Sequence, residues 1–531
     1  MPDLLRRAPS RSVTASILPA GEVRHSGTAP VLVGLLGLLI SLLFIGTPSV
    51  WYDEAATITS ATRSLPELWA MVQNVDAVHA VYYLGMHLVF DVVGYSPTAL
   101  RVPSAVATGM AAAMTVVLGR LVLHPRAALL GGVVFCLLPR VTWMGAEGRS
   151  YALSAMLAAL LTVVFVHASR SRRRRWWVLY SAVAVVSTLV FIYLALVIAA
   201  HGVTAASMAM RSRHGRNSGL PARPGPPTSS PGPSAAFARW FLAATGAGAL
   251  LLPFAFAVLA QSGQLHWVDP IDEETLREVL QSQWFHVNLE FAVAGWALLL
   301  FGTVVLLVRS RPAAVVLLPL IAVPTAILLL VTLAYTPIYT PRYLTMCLPM
   351  VALVIGAAVW SLPTRPIIVL TLASLVVISV PSIVAQRQSA AKENTSWEKV
   401  SGLIQDQRAR DGADKSTAII YGWVRHHPTA TSRVIAYAYP DAFDGTTDVL
   451  LDVPAAETGQ LWETRAPLAS RLPVVQQADV AYLITSTKRD LRPDTTAALA
   501  GIGWEPTEEW TIRDVNVVRY QPTDAEAPVT P

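Results

Sequence analysis

The chain has 531 residues, 53% of them hydrophobic and 14% charged, with a formal net charge of +6 and only two cysteines. A globular domain carries roughly 25% charged residues, and a soluble chain of this size has no means of hiding so much apolar surface, which excludes a soluble multidomain enzyme. The hydrophobicity excludes a disordered chain, and the cysteine count excludes a disulfide-stapled scaffold.

Taken in chain order, residues 1–30 lack the compact charged region and cleavage site of a secretory signal, so they read as a cytoplasmic N-terminal segment ahead of an uncleaved anchor. Apolar runs near 31–49, 104–122, 127–143, 151–168, 177–191, 193–210, 238–260, 289–308, 313–334, 344–361 and 366–384 each approach the roughly 20 residues that cross a bilayer. The stretch 176–210 divides into two spans, because one helix of that length overshoots the hydrocarbon core. The expectation is a polytopic α-helical membrane domain over 31–384, with about eleven transmembrane helices.

Arginine placement orients it. Arg6, Arg7, Arg11 and Arg24 precede the first span, and Arg170 with Arg172 to Arg175 forms the strongest basic run. Arg211, Arg213, Arg216 and Arg223 belong to a linker over 211–237, rich in Pro, Gly and Ser across 217–234, and Arg309, Arg311 and Arg365 complete the set. All fall on the cytoplasmic side only if residues 79–94, which contain His79, His87 and Asp91, lie along the membrane instead of crossing it. Residues 50–103 are therefore read as an outer loop with interfacial helices. Arg140, near an outer helix end, is either a snorkelling side chain or a phosphate contact.

Residues 385–531 hold 35 of the 74 charged residues and all four lysines, Lys392, Lys399, Lys415 and Lys488. That charge density predicts a soluble domain, placed outside the cytoplasm by the helix count. Apolar runs at Thr417–Tyr421, Val434–Tyr439, Val449–Val453, Val480–Thr485 and Val515–Tyr520, with a helical stretch over 393–410, predict a small α/β fold. Cys136 and Cys347 both fall in spans, so no disulfide is expected.

The ionisable residues of the membrane part gather on the outer side. They are Asp53-Glu54 after the first span, Asp76 and His79 followed by Tyr82-Tyr83, Glu147-x-Arg149-x-Tyr151, the loop 261–288 with His266, Asp269, Asp272, Glu273, Glu274 and His286, and Pro341-Arg342-Tyr343. Each has an ordinary reading: a solvated helix end for Asp53-Glu54, an interfacial histidine for His79, a local ion pair for Glu147 and Arg149, aromatic-belt anchors for the tyrosines. Four such loops on one face point to a site. A lipid-linked sugar flippase also fits the helix count, but transporters keep ionisable groups near the bilayer midplane, where this chain has few.

The order of these motifs resembles the glycosyltransferase-C superfamily, above all bacterial protein O-mannosyltransferases and aminoarabinose transferases, with actinobacterial mannosyl- and arabinosyltransferases beside them. The resemblance covers residues 31–384 and leaves the tail unmatched. The family's His-Pro-Pro-x-Tyr-Tyr motif stands here as Val78-His79-Ala80-Val81-Tyr82-Tyr83, without the prolines.

The resemblance implies an inverting glycosyltransferase. It would move a sugar, mannose first and arabinofuranose as the alternative, from a polyprenyl-phosphate donor to a glycolipid, polysaccharide or protein acceptor of the cell envelope. It makes Asp53 the general base, with Glu54 orienting it or sharing the role. Arg149 and Arg342 become donor-phosphate ligands, since a guanidinium matches phosphate oxygens in a fork. Asp76, His79, Tyr83, Glu147, Tyr151 and Tyr343 become sugar or acceptor contacts, with Glu147 also a brace for Arg149. No cofactor is expected: some relatives carry a divalent ion, but the acids and histidines here have no ligand spacing. No nucleic acid partner is implied.

Overall fold

The computed structural model describes residues 27–217, 232–412, 414–424 and 429–523. The N-terminal arginines Arg6, Arg7, Arg11 and Arg24 and the linker residue Arg223 lie outside the described residues, as do the side chains of Arg213, Arg216 and His266.

Each of the eleven expected spans holds a helix. Eight of them are long and apolar enough to cross a membrane, among them Pro97–Val122, Tyr151–Arg170, Leu289–Arg309, Pro341–Trp360 and Arg365–Ala385. Thr28–Leu42, Pro125–Leu137 and Arg175–Val190 are shorter. The run expected over 127–143 is not one helix: it breaks at Leu138, where Pro139 starts a second short helix, Pro139–Met144, because proline cannot donate to the preceding turn. The run 176–210 divides as expected, at Phe191, whose extended backbone (φ −153°, ψ 105°) separates the two helices.

Pro341–Trp360 is the central helix, 89% buried over its most apolar window, while Pro233–Ala260 and Arg365–Ala385 are only 11% buried and form the periphery. Lipid replaces water around such a bundle, so helices gain by close packing of small residues. Gly356 of the central helix meets Gly131 of Pro125–Leu137 backbone to backbone, and a Cβ on Gly356 would stand 2.3 Å from the Gly131 nitrogen.

Residues 52–93 form surface helices, Tyr52–Ala61, Leu65–Asn74 and Ala80–Val93. Their apolar faces share one hydrophobic cluster with the tail: Ile58, Met71 and Tyr83 pack in the same core as Trp397, Ile404, Ile419 and Tyr482. The tail is a five-stranded sheet, β1 (Thr417–Tyr421), β2 (Thr447–Asp448), β3 (Val480–Ser486), β4 (Trp504–Ile512) and β5 (Val515–Pro522), in the order β2-β1-β3-β5-β4. β2, β1 and β3 run parallel, and β3, β5 and β4 antiparallel. The expected strand over Val434–Tyr439 is instead a helix, Arg433–Ala438, since a short apolar run has no period that separates strand from helix. The run Val449–Val453 carries only an isolated bridge at Leu451 beside the two-residue β2.

Candidate active site

Tyr52–Ala61 begins with both acids in its first turn, where a helix N-terminus favours negative charge. Successive helical residues point about 100° apart, so the two carboxylates face different neighbours. Asp53 turns toward the start of the central helix, where its Oδ2 pairs with Arg342 Nη1 at 3.0 Å and its side chain keeps 19% exposure. Glu54 turns inward and is fully buried.

Glu54 is the centre of an ionic cluster. Arg101, itself fully buried, donates from Nε to Oε1 at 2.8 Å and from Nη2 to Oε2 at 2.7 Å. Lys392 Nζ donates to Oε1 at 2.9 Å, and so does the Gly148 amide. The remaining Arg101 hydrogens go to the carbonyls of Ile45, Pro48 and Ser49. Burial pushes the Glu54 carboxyl up, but the Arg101 and Lys392 cations outweigh it and hold it well below the usual carboxylate range.

Glu147 does not brace Arg149. Its Oε2 accepts from Lys392 Nζ at 2.6 Å and its Oε1 from the Trp51 indole at 2.6 Å. The two side chains lie two residues apart in a loop, not one turn apart on a helix, so the spacing gave them no reason to meet. Burial pushes the Glu147 carboxyl up to about 7, with Lys392 pulling it down and Glu54 pushing it further up.

Arg149 is instead tied to the surface helices. Its Nη1 donates to the Asp53 carbonyl, Thr57 Oγ1 and Tyr83 Oη at 3.3–3.4 Å, and its Nη2 to His79 Nε2 at 2.8 Å. A guanidinium only donates, which assigns the His79 hydrogen to Nδ1. Tyr83 Oη donates to Asp76 Oδ2 at 2.7 Å. Asp76 holds a left-handed backbone (φ 57°), and burial raises its carboxyl above the usual range against the pull of Arg149. The loop after Pro233–Ala260 closes over this corner: Gln261 accepts from the Ala77 amide at 2.8 Å and donates to the Val72 carbonyl at 3.1 Å.

Beside these residues lies a cavity of about 370 Å³ lined by Trp51, Arg140, Trp143, Glu147, Trp267, His286, Arg342 and Lys392 among others. The Arg342 guanidinium stacks over Trp267 (4.8 Å) and more loosely over Trp51 (5.8 Å). Arg140, 5% exposed, lies over Trp143 and donates from Nε and Nη2 to the Ser282 carbonyl. Among the described residues no carboxylate is within ion-pair distance of it. Tyr151 packs against Trp143 with ring centres 5.4 Å apart, and Tyr343 stacks on Tyr193 at 4.5 Å, so both belong to an aromatic wall. Among the described residues no three acids, histidines or cysteines converge on a point that would hold a metal ion.

Of the expected site residues, Glu147 and Arg342 line the cavity, Asp53 is paired with Arg342, and Glu54 is buried beside Glu147 on Lys392. Asp76, His79, Tyr83 and Arg149 form a second hydrogen-bonded group, and Tyr151 and Tyr343 belong to the aromatic wall. Arg101 and Lys392 escaped sequence reasoning. Arg101 lies inside the helix Pro97–Val122, and a lone arginine near a span end reads as a topology signal. Lys392 lies in the tail, far from every motif.

No family profile and no curated protein matches the sequence. In three dimensions the chain is similar to ArnT from Cupriavidus metallidurans bound to undecaprenyl phosphate, with a TM-score of 0.55 at 13% identity, over 92% of this chain and 97% of that one. The apo state of the same protein gives a TM-score of 0.54 at the same identity and coverage. The fold is of the glycosyltransferase-C type. The residues outside that alignment are too few to make up the tail, so the sheet domain is for the most part included in the glycosyltransferase-C likeness.

Proposed function

We propose that the chain is a membrane glycosyltransferase that moves a sugar from a polyprenyl-phosphate donor to a cell-envelope acceptor on the outer side of the membrane. One observation carries the reading: of the two adjacent acids, Asp53 alone stays accessible, and it is paired with an arginine that lines the cavity. A base must reach the proton it takes, which suits Asp53 and leaves Glu54 as the residue that orients it.

In the proposed step the acceptor hydroxyl oxygen bonds to the anomeric carbon while its proton passes to Asp53. The bond from that carbon to the phosphate oxygen breaks, and polyprenyl phosphate leaves with the electron pair. The leaving phosphate gains negative charge, which Arg342 and the carboxylate-free Arg140 are placed to receive across the cavity. Arg149 does not line the cavity; its four bonds suit it to holding Asp53, His79 and Tyr83 in register. Tyr151 and Tyr343 pack against Trp143 and Tyr193 and do not line the cavity, which suits them to supporting the site and not to touching the sugar. The donor class is also suggested by the undecaprenyl phosphate bound to the similar ArnT. Mannose as the sugar rests on the motif resemblance alone.

The test is transfer from radiolabelled polyprenyl-phosphate sugar in membranes. Asp53→Asn should lower turnover by about a hundredfold or more at unchanged protein level. Arg140→Ala should weaken donor binding about tenfold, as expected for one lost charged hydrogen bond. Wild-type turnover in Asp53→Asn would remove the base, and unchanged donor affinity in Arg140→Ala would remove the phosphate contact.

A further inference from the structure

The last span ends at Ala385, and the chain does not simply exit there. Residues 386–396 run back across the end of the bundle as a strap. The Gln386 amide donates to the Pro139 carbonyl at 2.9 Å and accepts from Thr142 at 2.7 Å. Arg387 Nε donates to the Leu43 carbonyl at 2.7 Å, the Ser389 carbonyl accepts from the Ser49 amide at 2.8 Å, and Thr395 Oγ1 donates to the Val50 carbonyl at 3.1 Å. The strap is thus fastened to the segment just before Trp51, at Leu43, Ser49 and Val50, and to Pro139 and Thr142.

Between these fastenings Lys392 points inward, 7% exposed. Glu393 and Asn394 directly after it both take left-handed backbone (φ 49° and 58°), a conformation that costs a non-glycine residue about 1 kcal/mol or more and persists only where surroundings impose it. The turn they make aims the Lys392 side chain at Glu54 and Glu147.

We propose that the strap is part of the active site and that Lys392 is a positioning residue for the transfer. Its ammonium fixes Glu147, Glu147 fixes the Trp51 indole, and Trp51 sits under Arg342 and two residues before Asp53. The cluster holds two carboxylates, Glu54 and Glu147, against two cations, Arg101 and Lys392, so Lys392 also neutralises buried charge; that structural share must be separated from positioning. The proposal rests on the glycosyltransferase reading for its kinetic arm only.

The charge-balanced pair Glu147→Gln with Lys392→Met removes one carboxylate and one cation together and leaves Glu54 with Arg101. Against the wild type, that double variant should keep its thermal midpoint, lose at least tenfold in kcat, and change the donor KM by less than threefold. Lys392→Arg should keep more activity than Lys392→Met. A kcat within twofold of the wild type, or a loss carried entirely by KM, would overturn the positioning role.

An activity-free arm reads the ¹⁹F signal of Trp51 in protein labelled with 5-fluorotryptophan, assigned through Trp51→Phe. The signal should move in Lys392→Met, or in the double variant against the wild type if the single variant does not accumulate, and stay in place in Lys399→Met, a change at an exposed tail lysine. An unmoved Trp51 signal sinks the proposal. A moved signal in a chain that transfers no lipid-linked sugar supports the strap and rejects the glycosyltransferase reading.

Discussion

Two neighbouring carboxylates, Asp53 and Glu54, end in opposite environments because helical geometry turns consecutive residues apart. One carboxylate keeps contact with the cavity through Arg342, and the other disappears into a neutralised cluster. The third acid, Glu147, gives a pH prediction. Its carboxyl is raised from the ordinary 4.5 to about 7 in the folded chain, so between those values the folded state holds more protons than the unfolded one. Stability contributed by that proton is present at low pH and is lost as pH rises through the window. Glu147→Gln should flatten this fall in thermal midpoint from pH 5 to pH 7. Glu54 has the opposite sign: held low by Arg101 and Lys392, it stabilises above its ordinary range and loses that contribution as pH falls below it. A midpoint that falls with pH over 5–7 as steeply in Glu147→Gln as in the wild type would assign the titration to another group.

At the scale of elements, the spans were legible because about twenty apolar residues in a row have few other fates. Their interruptions were legible only in part. Two spans over 176–210 followed from length, whereas the run 127–143 was read as one span although Pro139 and Arg140 interrupt it. In the tail, β1, β3 and β5 were readable as buried β-rich runs, with all residues of β1 and β3 buried. β4 was not, because this edge strand shows mostly polar residues to solvent. Close packing of the central helix yields a prediction here. Gly356→Ala places a methyl against immovable backbone at 2.3 Å, while Gly246 on the peripheral helix has nothing within 4 Å of an added Cβ. Overpacking of this kind costs about 1–3 kcal/mol, so Gly356→Ala should lower the thermal midpoint in detergent and Gly246→Ala should not. Equal midpoints would mean that the two helices part without penalty.

Across the whole molecule, the surface helices are the joint between bundle and tail. Arg63 donates to the Gln460 and Leu461 carbonyls, Trp462 to the Tyr52 hydroxyl, Tyr95 to the Ala438 carbonyl, and the Val50 amide to the Tyr439 hydroxyl. The sheet domain therefore packs on the same segment that carries Asp53, and the two parts share a core. If arginine placement sets the side of the membrane on which this joint lies, a reporter fused after residue 390 should read as extracytoplasmic; a cytoplasmic signal there would invert the topology and the proposed outer site with it. By itself the sequence determined the membrane class, the positions of the spans and the gathering of acids and aromatics in a few loops, because those depend on local composition; Asp53 as base and Arg149 with Arg342 as phosphate ligands came from the motif resemblance. Only the tertiary structure decided which acid is buried, that Glu147 belongs to Lys392 instead of Arg149, and that Arg101, Arg140 and the strap after Ala385 take part. Those choices depend on partners up to 347 residues away, and whether a carboxylate is a base or a buried anchor is set by the cations and space around it, which no local stretch of sequence records.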